Sequence, residues 1–194
     1  TRQLFTLAIR GSGAAPVQIT ASEQAVSDPQ WSPDGRRLAF VRDGEIWVVE
    51  ADGSRLARVV AKPGGGSDPR WSPDGHRLGF LSRRRGWSQV WLIDAPVPRR
   101  GRPQRDPRPP EATPLTSPGV DVGSFAWSPD GSRIAFVSAT PGPEPPMEAD
   151  PIVITRYWYR PASGHGGRFS DNRRRHLFVA DVGTKQVRQL TDGK

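Results

Sequence analysis

The sequence predicts an all-β fold: a β-propeller segment of four-stranded antiparallel blades, about three and a half in number, forming an incomplete ring. The pentapeptide Trp-Ser-Pro-Asp-Gly occurs three times, beginning at Trp31, Trp71 and Trp127. Each copy precedes a similar apolar run that begins at Arg37, Arg77 and Arg133. Strands and turns repeating at roughly 40–50 residues are typical of propeller blades, and closed propellers contain about four to eight of them.

The first complete copy, residues 23–61, shows how the strands A to D of one blade follow from the sequence. In the Pro-Asp-Gly turn, proline presets φ and glycine takes the position with positive φ. Asp43-Gly44 is a preferred two-residue hairpin turn, and Asp52-Gly53 provides a second turn. Strand A is predicted to end with residues 28–31, and the predicted strands B to D are residues 37–42, 45–50 and 55–61.

The remaining copies repeat this pattern less completely. We predict a half-blade at 1–22, a second blade at 62–117 and a third blade at 118–194. Strands C and D of these three units are predicted at 3–8 and 17–20, at 90–94 and 112–116, and at 176–181 and 187–191. The second blade carries a Pro/Arg-rich loop at 95–111, and the third carries an insertion at 138–174. The first residues, Thr1-Arg2-Gln3, read as the middle of a longer chain.

The net charge of +8 comes almost wholly from arginine, because the chain has three lysines. The arginines cluster at 83–85, 99–108 and 173–175, which we expect to be turns or loops. No nucleic-acid-binding module is recognisable, so we expect no nucleic-acid partner and favour an acidic protein surface instead. No apolar stretch has the ~18 residues that a membrane span needs, and no targeting segment is visible, so we expect no membrane partner and a cytoplasmic protein.

Catalytic residues are not expected in this chain. An α/β-hydrolase nucleophile lies in Gly-x-Ser-x-Gly at a strand-to-helix turn, and the nearest string, at Gly86-Trp87-Ser88, enters a predicted strand. The three histidines, His76, His165 and His176, lack a marked partner, and no metal-binding spacing occurs, so we expect no cofactor and no metal.

The aspartates of the three repeated turns are Asp34, Asp74 and Asp130. They suggest either a ring of carboxylates or three turn residues whose side chains hydrogen-bond their own backbone. Aspartate at this position of a turn favours the second interpretation.

The order of strands in a meander also predicts which loops meet. The B–C loops, the starts of strands A and the ends of strands D share one face of the propeller, and the A–B turns and C–D loops share the other. The insertion 138–174 therefore emerges on the first face, and the loop 95–111 on the second.

The insertion carries the most specific part of the sequence. Residues 152–160 read Ile-Val-Ile-Thr-Arg-Tyr-Trp-Tyr-Arg, followed by Gly164-His165-Gly166-Gly167 and an arginine-rich entry into His176-Leu177-Phe178-Val179. This order resembles the N-terminal propeller of the prolyl oligopeptidase family of serine peptidases, especially its acylaminoacyl-peptidase and dipeptidyl-aminopeptidase branches. The pentapeptide alone resembles TolB-type propellers equally well, so a TolB-like interaction scaffold remains the alternative.

The peptidase resemblance implies an α/β-hydrolase catalytic domain as partner, short peptides as substrates and a propeller that limits substrates by size. Arg156, Arg160 and Arg168 then bind a peptide carboxylate, flanked by the aromatic residues Tyr157, Trp158 and Tyr159. The alternative is a hairpin whose aromatic side chains only pack on the blade. A third account is self-association of two chains through open blade edges.

Overall fold

The computed structural model describes residues 2–7, 15–95, 111–116, 121–140 and 174–192. All regular elements of these residues are β-strands, and none of their segments is a helix able to cross a membrane. In chain order the strands are β1 (Phe5–Thr6), β2 (Val17–Gln18), β3 (Val26–Trp31), β4 (Arg37–Arg42), β5 (Glu45–Glu50), β6 (Ala57–Val60), β7 (Ser67–Trp71), β8 (Arg77–Arg85), β9 (Trp87–Asp94), β10 (Thr113–Pro114), β11 (Val122–Trp127), β12 (Arg133–Thr140), β13 (Arg174–Asp181) and β14 (Val187–Gln189).

These strands form three four-stranded antiparallel meanders and one two-stranded sheet. The meanders are β3-β4-β5-β6, β7-β8-β9-β10 and β11-β12-β13-β14, and the pair is β1-β2. We call them the first, second and third blade and the half-blade. The predicted all-β propeller segment of about three and a half blades is confirmed.

A hydrogen bond from strand C to a threonine at the end of strand D identifies the half-blade as the outer half of a blade. Leu4 N donates to Thr20 Oγ1 at 2.9 Å. The same bond joins Val90 N to Thr116 Oγ1 and Leu177 N to Thr191 Oγ1 in the second and third blades. Strands β1 and β2 are therefore equivalent to strands C and D.

The blades bury their apolar residues between neighbouring sheets. The half-blade and the first blade share a cluster of buried apolar residues, which are Leu4, Ile19, Val26, Leu38, Phe40 and Val49. First and second blade share Ala39, Ile46, Val48, Val59, Val60, Trp71, Leu78, Phe80, Trp91, Ile93 and Ala95. Second and third blade share Leu81, Val90, Leu92, Leu115, Val122, Phe125, Ile134, Phe136 and Ala180. Alternate residues of one central strand thus face opposite neighbours, as the period of two requires.

The predicted division of loops between two faces is confirmed by backbone contacts. Gly66 N, just before strand A of the second blade, donates to the carbonyl of Gly44 in the B–C turn at 2.8 Å. At the other end of the first blade, Ala51 N in the C–D turn donates to the carbonyl of Arg36 beside the A–B turn. We call the first end the B–C face and the second the A–B face.

Several predicted strand limits were wrong. Strand C of the second blade begins at Trp87, not at residue 90, and strand B extends through Arg85. The arginines at 83–85 therefore lie in a strand, not in a turn or loop, and Arg174 and Arg175 also lie in strand β13. Strand D is shorter than predicted in every blade, for example β10 with two residues.

Strand A is bulged in each blade, which the sequence did not predict. The register with strand B shifts between Ser27 and Gln30 in the first blade and between Ser67 and Arg70 in the second. Asp28 and Asp68 occupy these bulges with φ of 51° and 49°. Aspartate is among the few residues with a side chain that enter this region readily.

Candidate functional site

The B–C face is the candidate functional site because its connections differ most between blades. In the first blade, strands B and C are joined by Asp43-Gly44, both with positive φ, as a two-residue turn of this type requires. In the second blade they continue until Arg85 pairs with Trp87 around Gly86. In the third blade pairing continues to Thr140 and Arg174, and residues 141–173 connect them.

The six predicted substrate-facing residues, Arg156, Tyr157, Trp158, Tyr159, Arg160 and Arg168, lie outside the described residues, as does His165. Their roles stay predictions. The structure does place the strands that carry the insertion: β12 and β13 pair in continuous register from Arg133–Asp181 to Thr140–Arg174. The insertion therefore leaves and re-enters the blade at the B–C face, and its first predicted residues, Ser138 to Thr140, belong to strand β12.

A cavity of about 510 Å3 lies on the B–C face between the second and third blades. Its polar lining includes Ser67, Ser82, Arg83, Ser88 and Asp121. The Asp121 carboxylate accepts a hydrogen bond from Ser88 N at 2.9 Å, and Ser82 Oγ donates to the carbonyl of Gly64 at 2.8 Å. The cavity thus presents one acidic and one basic side chain beside exposed strand ends, a surface that suits polar or zwitterionic ligands more than apolar ones.

Arg84 shows why an arginine cluster lies in a strand. Its guanidinium carbon is 5.4 Å from the Trp91 ring centroid and 5.8 Å from that of Phe80. Its side chain also covers Gly64, where an added Cβ would come within 2.2 Å of Arg84 Cγ. Burial lowers the pKa of Arg84, but an arginine remains protonated. The side chain of Gln89, opposite Ser82 in the ladder, is fully buried, and its amide has no hydrogen-bond partner among the described residues.

The three motif aspartates lie on the A–B face and have the predicted turn role. Asp34 Oδ1 accepts hydrogen bonds from Ser32 Oγ and Arg36 N, and Asp74 and Asp130 repeat both contacts. The hydrogen bond from the motif serine is the largest cause that lowers the pKa of each carboxyl, to about 2 for Asp130. The turn glycines have φ of 67–71°. These carboxylates belong to turns and do not form a ring of ligands.

Among the described residues, no serine or histidine lies in the arrangement that a catalytic centre requires. Ser88 lies inside strand β9, not at a strand-to-helix turn. His76 is an exposed turn residue, and His176 is buried in strand β13. In the same described part, no group of three metal-ligating side chains occurs.

One repeated contact between blades was not predicted from the sequence. Trp71 Nε1 donates to the carbonyl of Gln30 at 3.2 Å, and Trp127 Nε1 donates to the carbonyl of Arg70 at 3.1 Å. Trp71 and Trp127, two of the three motif tryptophans, therefore bind the residue at the position just before the motif tryptophan of the previous blade. The regular position of tryptophan at the end of strand A was the available signal.

Residues 3–145 of the chain match the family model of the TolB beta propeller domain. A curated relative, the Tol-Pal system protein TolB of Thioalkalivibrio sulfidiphilus, is 43% identical over 61 residues, which are 29% of this chain and 14% of the relative.

Two solved structures of different proteins share the fold. A protein of Agrobacterium tumefaciens named as a TolB aligns with a TM-score of 0.57 and 20% identity over 92% of this chain and 53% of its own. The acylaminoacyl peptidase of Pyrococcus horikoshii aligns with a TM-score of 0.61 and 19% identity over 86% of this chain and 24% of its own. The chain thus spans about half of the first protein and a quarter of the second.

Proposed function

This chain belongs to the TolB beta propeller domain family, and from the residues of the insertion 138–174 we propose that it is the non-catalytic propeller segment of a serine oligopeptidase or exopeptidase. In this role it gates and partly lines the path by which short peptides reach an α/β-hydrolase domain. The hydrolysis itself takes place on that domain, because the described residues hold no catalytic centre.

The observation that supports this role most strongly is the lengthening of the B–C connections from blade to blade. The connection grows from Asp43-Gly44 to the longer hairpin around Gly86, and then to residues 141–173. The described strand ends that carry these connections lie at one face. A connection as long as residues 141–173 at this face is the part of the chain that we propose limits the size of molecules reaching it.

The insertion also carries the residue types that recognise a peptide terminus. Arg156, Arg160 and Arg168 offer guanidinium groups that bind a carboxylate with two parallel hydrogen bonds. Tyr157, Trp158 and Tyr159 offer flat apolar surfaces for side chains. In this proposal the arginines bind the carboxylate of the peptide, and the aromatic residues contact the side chains next to it.

A second candidate function is a TolB-like scaffold whose partners bind the propeller face. The 43% identity over 61 residues to a Tol-Pal system TolB protein favours it. The charge of the chain fits an acidic partner, because 28 lysines and arginines stand against 20 aspartates and glutamates. In this role the insertion is a contact loop for a protein and no peptide is cleaved.

Shortening the insertion in the native protein that contains this chain tests the gate. Residues 141–173 are replaced by Asp-Gly, the connection that the first blade already uses. The gate predicts that peptides too long for the parent protein become substrates, while the cleavage rate of short peptides is retained. An unchanged dependence on peptide length would contradict the gate, and a parent protein without peptidase activity would favour the scaffold.

Single substitutions test the carboxylate role separately. Loss of one buried charged contact weakens binding by roughly 2–5 kcal/mol. Arg156→Ala or Arg160→Ala should therefore raise KM strongly for peptides with a free carboxylate and little for amide-capped peptides. An equal effect on both peptides would exclude this role and leave the packing interpretation.

A further inference from the structure

The hairpin of strands B and C in the second blade carries an extension that the first blade lacks. The two hairpins match as far as the pairs Arg42–Glu45 and Ser82–Gln89, and the first blade turns at this point. The second blade instead adds residues 83–88, which contain three arginines and no acidic residue. The extension is therefore a property of this blade and not a requirement of the fold.

A β-bulge in the extension directs the three arginines to different sides of the blade. The register of β8 with β9 shifts between Ser82 and Arg85. The guanidinium carbons of Arg84 and Arg85 lie 5.4 and 5.5 Å from the ring centroid of Trp91, whose side chain packs towards the first blade. Arg83 instead lines the cavity of about 510 Å3 between the second and third blades. Bulges often re-aim a side chain in this way beside a functional site.

The third blade contributes an acidic side chain to the same cavity, and hydrogen bonds hold it in position. Asp121, which precedes strand A of the third blade, accepts a hydrogen bond from Ser88 N through its carboxylate at 2.9 Å. Its carbonyl accepts a second hydrogen bond, from Ser138 Oγ at 3.1 Å. A carboxylate has about four acceptor sites, so that of Asp121 retains acceptor capacity for a ligand.

The two charges of the cavity are available for binding. Arg83 and Asp121 are both exposed, and neither takes part in an ion pair with another described residue. The volume of the cavity lies within the range of small-molecule sites. The lining also includes serines and aliphatic residues, among them Ser67, Ser88, Leu81 and Val122.

We propose that this cavity is a binding site for short peptides whose two termini are free. The guanidinium of Arg83 binds the carboxylate at one end, because its planar donors match the two oxygens. The carboxylate of Asp121 binds the ammonium group at the other end. The site is separate from the arginines of the insertion, and it does not rest on the peptidase role, because binding needs no catalytic domain.

Trialanine and its two capped forms are the probes. They are titrated into the full 194-residue chain, and the NMR signal of the Ser88 amide, which donates to Asp121, reports binding. We expect a saturable shift with the free peptide. Acetylation removes the ammonium group and amidation removes the carboxylate, so each should weaken binding about fivefold, as for charge pairs at solvent-accessible sites. Equal affinities of the three peptides, or the absence of a saturable shift, would overturn the proposal.

Variants of the chain assign each terminus to its residue. Arg83→Gln should abolish the effect of amidation and keep that of acetylation. Asp121→Asn should do the reverse, while its amide oxygen still accepts the hydrogen bond from Ser88 N. Arg85→Gln is the matched control, because it removes the same charge from the extension at a side chain that lies over Trp91. If the effect of amidation survived Arg83→Gln, or if Arg85→Gln removed it equally, the carboxylate would bind elsewhere and the proposal would be wrong.

Discussion

Trp71 donates its indole N–H to the backbone carbonyl of Gln30, 3.2 Å away across the junction between the first and second blades. The guanidinium of Arg37 lies over the same ring, 4.6 Å from its centroid, and also donates to the carbonyl of Gly75. The pentapeptide motif therefore fixes its own turn and also joins one blade to the previous one. This double role explains why the tryptophan accompanies a turn that needs only serine, proline, aspartate and glycine.

Replacing Trp71 by phenylalanine should lower the free energy of unfolding by about 1–3 kcal/mol, because a partly buried carbonyl loses its donor and the smaller ring leaves space. Trp31→Phe is the matched control: its ring is half exposed, and we expect a change within about 0.5 kcal/mol. Chemical denaturation of both variants provides the measurement. Equal destabilisation would show that the indole hydrogen bond is not what distinguishes the two sites.

Gly79→Ala should destabilise the chain by about 1–3 kcal/mol, because the new methyl group meets the ring of Phe125 in a closely packed junction. Phe125→Leu in the same background should recover part of the loss, and a double-mutant cycle of denaturation midpoints measures this coupling. Gly123→Ala is the control, since an added Cβ there finds its nearest neighbour at 3.9 Å. Strictly additive effects at Gly79 and Phe125 would contradict the steric account.

Thr116→Val should lower the free energy of unfolding by about 1–3 kcal/mol, because the buried Val90 N–H loses the hydroxyl that accepts its hydrogen bond. Thr116→Ser retains the hydroxyl and should recover most of the stability. Hydrogen exchange at Val90 reports the same contact directly. If the serine variant were as unstable as the valine variant, packing of the threonine methyl group would be the cause instead.

The carboxyl of Asp130 should titrate well below its ordinary value. Hydrogen bonds from Ser128 and then Ser132 lower its pKa from 3.8 to about 2. Because the pKa is lowered in the folded state, the stabilisation is present above the ordinary pKa and is lost as the pH falls from about 4 towards 2. Ser128→Ala should raise the pKa of Asp130 more than Ser132→Ala does, as followed by the carboxyl chemical shift in NMR. A larger rise for Ser132→Ala would contradict this order of causes.

The repeated turns and central strands could be predicted from the sequence because their signals are local. Asp43-Gly44 and the Pro-Asp-Gly turns determine backbone conformation within a few residues. The alternating apolar residues of strands B and C then indicate which side chains face a neighbouring sheet. Even the half-blade could be predicted, since residues 3–8 and 17–20 match strands C and D of a blade.

The features that could not be predicted from the sequence depend on how strands and sheets pack against one another. Arg84 lies in a strand where its side chain packs near the rings of Phe80 and Trp91 on its own hairpin and over the bare backbone of Gly64, which precedes the blade. The strand-A bulges at Asp28 and Asp68 arise from pairing with strand B, which composition does not reveal. The hydrogen bonds from the indoles of Trp71 and Trp127 to the preceding blades depend on how whole sheets pack. The predicted contacts of Arg156 to Arg168 lie outside the described residues and stay predictions.

The central claim, that this propeller segment serves a serine peptidase, is tested most directly by labelling the native product with a fluorophosphonate. This reagent reacts covalently with the activated serine of a folded hydrolase. The product is captured from lysate of the source cells with an antibody against residues 138–174 and separated under denaturing conditions. The account predicts a labelled band well above the size of the 194-residue segment, with loss of label after heat denaturation before the reaction. A captured product that remains unlabelled, while other serine hydrolases of the same lysate react, would contradict the account and favour the scaffold.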